Sequence, residues 1–190
     1  YAIFAAGIIL AACAAGFTTW SLKPAAPEPP LRKFELPLED VDPNLSTGTT
    51  FEISPDGSRI AFVSTDQLWI RDLDRVEAYA LAGTEDAMKP FWSPDGEWIY
   101  FVGHGKGDST AGLWVVAPGG GAPLRLHSSA RQPAVSPDGT KLAFVVEQPT
   151  PKSIWLIDAD GENASALAED DRYNQLHPTW LSNDRLAFIR

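Results

Sequence analysis

The chain has 190 residues, 44% of them hydrophobic and seven of them Trp, which is enough for one domain with a real core. A formal charge of −10 and a pI near 4.6 exclude the ordinary route to nucleic-acid binding, in which clustered Lys and Arg neutralise phosphates. The expected partners are therefore proteins or neutral ligands, and with Cys13 as the single cysteine no internal disulfide forms and cysteine usage does not identify the compartment.

From Tyr1 to Leu22 no side chain is charged. Roughly 20 apolar residues span a bilayer as a helix, so residues 1–22 are predicted to form one transmembrane helix in contact with the lipid bilayer. Tyr1 and Trp20 stand near its two ends, where aromatic rings favour the headgroup boundary, and Lys23 follows as an anchor. Gly7 and Gly16 among many Ala would let another helix approach closely. Leu10-Ala11-Ala12-Cys13 also has the form of a bacterial lipobox, with lipid on Cys13 after signal cleavage. The other reading of Cys13, and the preferred one, is a small apolar residue of the membrane helix.

Residues 23–50 read as a linker. Lys23 to Pro30 carries four prolines in eight residues, which predicts an extended polyproline spacer that would lift the next domain about 20 Å from the membrane. Phe34, Leu36 and Leu38 alternate well enough to predict a strand over Leu31 to Leu38. Glu39 to Thr50 is rich in turn-forming residues and reads as loop.

Residues 51–190 are organised around one repeated corner. It is Ser54-Pro55-Asp56-Gly57, then Ser93-Pro94-Asp95-Gly96, then Ser136-Pro137-Asp138-Gly139, each between an apolar entry and an apolar exit. Pro presets φ for a tight turn, Asp bonds its own backbone, and Gly takes the left-handed conformation, so each corner predicts a hairpin. The corners start 39 and then 43 residues apart, which is the period of a propeller blade and not of a helical solenoid. A third strand follows each hairpin with a Trp at its centre, at Trp69, Trp114 and Trp155, and a short fourth strand follows at Ala78 to Leu81, Leu124 to Leu126 and Ser165 to Leu167. The three Trp residues are expected to fill the space between adjacent sheets. A fourth unit begins at His177 and runs to Ile189 with a degenerate turn, Ser182-Asn183-Asp184-Arg185. The predicted class is all-β: a partial β-propeller of four-stranded antiparallel blades, three plus part of a fourth, preceded by one transmembrane helix. The open edge at Leu186 to Arg190 calls for further chain or for a partner.

The recurring Ser-Pro-Asp-Gly, followed by Ile60-Ala61-Phe62 or Leu142-Ala143-Phe144 and later by Leu-Trp or Ile-Trp, resembles the TolB-like propeller repeat over roughly residues 51 to 189. A narrower likeness adds to it. Trp20 to Pro24, the proline run, Arg32 to Phe34, Leu68 to Asp74, and Leu81 to Ala87 leading into Pro90 to Gly96 are similar to the extracytoplasmic half of bacterial transmembrane Ser/Thr kinases. That resemblance implies the order of helix, spacer and propeller. It implies no kinase activity here, because the sequence has no glycine-rich phosphate loop, His-Arg-Asp loop or Asp-Phe-Gly.

No catalytic signature competes with this architecture. Asp56, Asp95 and Asp138 lie on three different repeats and are explained by their turns. Asp158-Ala159-Asp160-Gly161-Glu162-Asn163 fails the spacing of a calcium loop, and His104, His127 and His177 lack paired zinc spacing and read as turn or surface residues. No Ser sits in a Gly-x-Ser-x-Gly elbow. The expectation is a non-enzymatic propeller with no metal and no cofactor, held on the periplasmic side of a membrane as an interaction subunit of a larger membrane protein complex, such as a respiratory or photosynthetic assembly. The alternatives are the sensor domain of a transmembrane kinase and a TolB-like lipoprotein.

Overall fold

The computed structural model describes residues 51–105, 107–147, 151–167 and 174–189. The expected membrane helix over residues 1–22 with Cys13, and the linker over 23–50 with its strand, lie outside the described residues. Among the described residues no helix is long and apolar enough to cross a membrane.

The described chain is a series of antiparallel sheets in sequence order. Blade 1 holds β1 (Phe51–Ile53), β2 (Arg59–Ser64), β3 (Gln67–Asp72) and β4 (Ala78–Ala80). Blade 2 holds β5 (Met88–Trp92), β6 (Ile99–Gly103), β7 (Gly112–Val116) and β8 (Leu124–His127). Blade 3 holds β9 (Arg131–Val135), β10 (Lys141–Val146), β11 (Ser153–Asp158) and β12 (Ser165–Ala166), and β13 (Leu176–Ser182) pairs with β14 (Arg185–Ile189) as the described part of a fourth.

Each corner closes through the same bonds. The N–H of Gly57, Gly96 and Gly139 donates to the carbonyl of Ser54, Ser93 and Ser136 at 2.8 to 2.9 Å, and each glycine has φ between 69° and 74°. The serine hydroxyl donates to the aspartate two residues on, at 2.6 Å in the first and third corners. The same hydroxyl accepts the N–H that opens the next strand, from Arg59, Trp98 and Lys141, each at 2.9 Å. The degenerate fourth corner keeps one of these contacts, Ser182 Oγ donating to Asp184 at 2.6 Å. Neighbouring corners touch. A Cβ on Gly96 would lie 3.6 Å from Pro55 Cδ, and one on Gly139 would lie 3.3 Å from Pro94 Cδ, so Pro55 and Pro94 rest on the glycine of the following corner.

Alternation along the strands gives blade 2 two buried faces. Ala61, Leu68 and Ile70 of blade 1 pack against Trp92, Ile99 and Phe101 of blade 2. Tyr100, Leu113 and Leu126 on the other face of blade 2 pack against Leu142, Phe144 and Ile157 of blade 3. Each fully buried aliphatic side chain contributes about 1.5–3 kcal/mol relative to exposure. Two further tryptophans tie first strands together across blades: Trp92 Nε1 donates to the Glu52 carbonyl and Trp180 Nε1 to the Ala134 carbonyl, both at 3.1 Å. Val135 holds the corresponding place in blade 3 and has no side-chain N–H to give.

Candidate functional site: a cleft between blades 2 and 3

Aligned on the strands that flank the corners, blade 2 departs from the other repeats around the head of its second strand. The residue at the head of the second strand is Arg59 in blade 1, Lys141 in blade 3 and Arg185 in the fourth unit, but in blade 2 that place, just before β6, is held by Trp98. Two residues later the other units carry Ala61, Ala143 and Ala187, and blade 2 carries Tyr100. The partner position at the end of the third strand changes with them. Arg59 pairs with Asp72 at 3.8 Å and Lys141 with Asp158 at 2.7 Å, whereas Trp98 stands beside Ala117, the residue after β7. Blade 2 has exchanged an ion pair for an apolar one.

A cleft of about 590 Å³ opens there, at the end of the sheets that carries the corners. Its blade 2 wall is made by Trp98, Tyr100, Val115 and Leu124, with Trp98 43% and Leu124 57% exposed. The blade 3 wall is made by small residues, Gly139 and Ala159, with Asp160 beside them. Large rings opposite small residues leave the gap that tighter packing closes elsewhere between these blades.

Polar groups in the cleft are few. Tyr100 is 2% exposed, its ring stacks on Phe91 with centroids 5.3 Å apart, and its hydroxyl has no hydrogen-bond partner in the protein among the described residues. Burial, and secondarily the charge of Asp95, push its phenol up to about 12, so at neutral pH it is an O–H donor. Asp95 is held below the usual carboxylate range by the Ser93 hydroxyl and then by the Glu97 N–H. Asp160 accepts the Glu162 N–H at 2.9 Å. Among the described residues, Asp95 and Asp160 are the only charged ones lining the cleft. A smaller hollow of about 360 Å³ lies at the opposite end of blades 1 and 2, between Glu85, Asp86, His104 and Trp114.

No protein-family model matches the chain. The Tol-Pal system protein TolB of Anaeromyxobacter dehalogenans is 31% identical over 93 residues, 49% of this chain, and the chain spans 21% of that protein's length. A solved TolB candidate from Agrobacterium tumefaciens superimposes with a TM-score of 0.56 at 23% identity, covering 75% of this chain and 59% of that one. The fold is a TolB-like β-propeller. An acylaminoacyl peptidase from Pyrococcus horikoshii shares it at TM-score 0.53 and 19% identity, over 70% of this chain and 26% of that one. The fold alone therefore decides nothing about catalysis.

Within the TolB-like propeller the three sequence-predicted corners lie on one end of the sheets. They share the cleft only in part, through Ser93, Asp95 and Gly139. Trp114 lies between blades 1 and 2, stacked on Phe101 with centroids 6.4 Å apart. Trp155 lies between blades 2 and 3, 5.6 Å from the His127 ring. Trp69 pairs with Phe62 on the face of blade 1 turned away from blade 2, its Nε1 donating to the Ser64 carbonyl at 3.1 Å. His127 differs from the expectation of a surface residue: it is half-buried, with its ring 4.9 Å from Phe144 and its Nδ1 2.8 Å from the Ser129 carbonyl, because an imidazole fills the inter-blade slot at the end of β8. Among the described residues no group of three or more His, Cys, Asp or Glu could hold a metal ion. Sequence reasoning missed Trp92 and Trp180 as the inter-blade donors. It also missed Trp98, Tyr100 and Ala117, whose signal was available in the position-by-position comparison of repeats.

Proposed function

We propose that this chain is a protein-interaction propeller, presented outside the cytoplasm by a membrane helix over residues 1–22, and that it serves as a non-catalytic accessory subunit of a larger membrane assembly. The observation that carries the reading is the exchange in blade 2 of the Arg or Lys with Asp pair for Trp98 with Ala117. An exposed Trp beside a cleft costs solubility in a free protein and becomes favourable when a partner covers it. The resemblance of the propeller to TolB supports a role in protein contact, and the uncharged leading segment supports the membrane setting.

The test is co-purification of the full chain from mildly solubilised native membranes, beside the double variant Trp98→Arg with Ala117→Asp, which restores the pair found in blades 1 and 3. The wild type should elute with a stoichiometric partner, and the variant should elute alone with unchanged thermal stability. A wild type that runs alone overturns the accessory-subunit reading. A second reading, the sensor half of a transmembrane Ser/Thr kinase, is favoured by the stretch from Leu68 to Gly96 and by the proline-rich spacer. The reading frame upstream of Tyr1 decides it, since a kinase domain encoded there makes the propeller a receptor. The lipoprotein alternative predicts lipid on Cys13, visible by mass spectrometry of the N-terminal peptide.

A further inference from the structure

The docking reading leaves open what enters the cleft, and the walls restrict the choice. Asp95 and Asp160 supply two negative charges, and among the described residues no cation lines the cleft. The nearest blade 3 cation, Lys141, is committed to Asp158 at 2.7 Å. Each lining carboxylate uses one oxygen within its own turn, Asp95 Oδ1 for the Glu97 N–H and Asp160 Oδ1 for the Glu162 N–H. The second oxygen of each has no protein hydrogen-bond partner among the described residues. Tyr100, almost wholly buried, brings an unpartnered hydroxyl to the same space.

The molecule itself shows twice what completes such a set. The Arg59 guanidinium lies 6.0 Å from the centroid of Trp92 and is paired with Asp72. The Arg125 guanidinium lies 5.5 Å from the centroid of Trp114 and is paired with Asp108 at 2.9 Å. Trp98 has the exposed ring and the carboxylates of this arrangement and lacks the arginine. A planar guanidinium stacks on an indole face and forks onto carboxylate oxygens, which an ammonium does not do. The volume, about 590 Å³, is in the range of pockets that accept more than one side chain.

We propose that the cleft binds an arginine of an extended segment of a partner protein, the guanidinium between Asp95 and Asp160 on the face of Trp98, a neighbouring aliphatic side chain against Leu124, and a backbone carbonyl accepting the Tyr100 hydroxyl. The inference deepens the interaction reading and rests on it. Its ligand chemistry is apolar and cationic together, which suits a cleft whose charges among the described residues are both negative.

The test uses the full chain in mild detergent, labelled with 5-fluorotryptophan, and the probe acetyl-Leu-Arg-Leu-amide beside the same peptide with citrulline, a neutral isostere, in place of Arg. Trp98 is assigned in the fluorine spectrum from the signal missing in Trp98→Phe. The arginine peptide should shift the Trp98 signal and bind at least tenfold more tightly than the citrulline peptide. Asp160→Asn, an exposed and conservative change, should weaken it at least fivefold and flatten its salt dependence, and Tyr100→Phe should weaken both peptides alike by a few fold. Equal binding of the two peptides, or a shift at a tryptophan other than Trp98, overturns the proposal. Equal binding together with loss of the co-purified partner in the Trp98→Arg, Ala117→Asp variant removes the arginine inference alone. Retention of the partner in that variant removes the cleft from the interaction reading as well.

Discussion

Replacing Ser136 by Ala tests whether the corner hydroxyl organises its blade. Ser136 is 0% exposed. Its Oγ accepts the Lys141 N–H at 2.9 Å and donates to Asp138 at 2.6 Å. The substitution leaves the first donor, part-buried behind the corner, without its acceptor, which costs about 1–3 kcal/mol, while the exposed carboxylate finds water. With a urea slope of about 2 kcal/mol per molar, a loss near 2 kcal/mol moves the unfolding midpoint down by about 1 M. The assay is urea unfolding of the full chain in mild detergent, followed by far-ultraviolet circular dichroism. Thr140→Val is the control, because the Thr140 hydroxyl reaches the same carboxylate at 2.9 Å from an exposed position. It should move the midpoint by less than a third as much. Equal shifts for the two variants, or a shift for Ser136→Ala under about 0.3 M, would refute the idea that the Lys141 N–H, and not the aspartate, is what the serine serves.

Trp92→Phe removes the N–H given to the Glu52 carbonyl and should cost about 1–2 kcal/mol in the same assay, whereas Val135→Ile, at a place where no such bond exists, should change stability by less than half of that. Leu142→Ala, fully buried between blades 2 and 3, should cost about 2–5 kcal/mol, measured by the same unfolding curve. Asp56, Asp95 and Asp138 are all held below their ordinary value of 3.8, chiefly by the serine hydroxyls at their corners. Their contribution to stability is therefore present above that value and is lost as pH falls through the lower folded values. Thermal midpoints between pH 5 and pH 2 should fall, and the fall should flatten when all three are changed to Asn. Tyr100 gives the opposite limb. Folding holds its phenol neutral up to about 12 against an ordinary 10.0, so stability declines as pH rises from the lower to the higher value, and the late step in an alkaline absorbance titration should vanish in Tyr100→Phe.

The corners and strands were legible because Pro, Asp and Gly act through the backbone within four residues, so Ser54 to Gly57 specifies its turn without help from the rest of the chain. The period followed from counting between corners. Contacts between repeats were less legible. Trp92 and Trp180 reach carbonyls 40 and 46 residues earlier, and nothing local marks a tryptophan as a donor to another blade. The third-strand tryptophans drew attention because they recur, while the cleft is made by residues that do not. Trp98 and Tyr100 become visible only against Arg59, Lys141 and Arg185, and against Ala61, Ala143 and Ala187. Lys89, Gln132 and His177 have φ of 50° to 53° although each precedes a proline, a position that normally holds extended backbone. Their conformation is set by the irregular pairing at the start of the first strands, which sequence does not announce.

Pro55 and Pro94 each lie against the glycine of the next corner, and a Cβ on Gly139 would crowd Pro94 at 3.3 Å while one on Gly96 would just touch Pro55 at 3.6 Å. A unit copied whole brings along both halves of that fit, the seat and what sits in it. Repeat number can therefore grow or shrink by single units without a new joint being invented. A change confined to one glycine reaches backwards into the unit before it, and variation at these corners should come in pairs about forty residues apart.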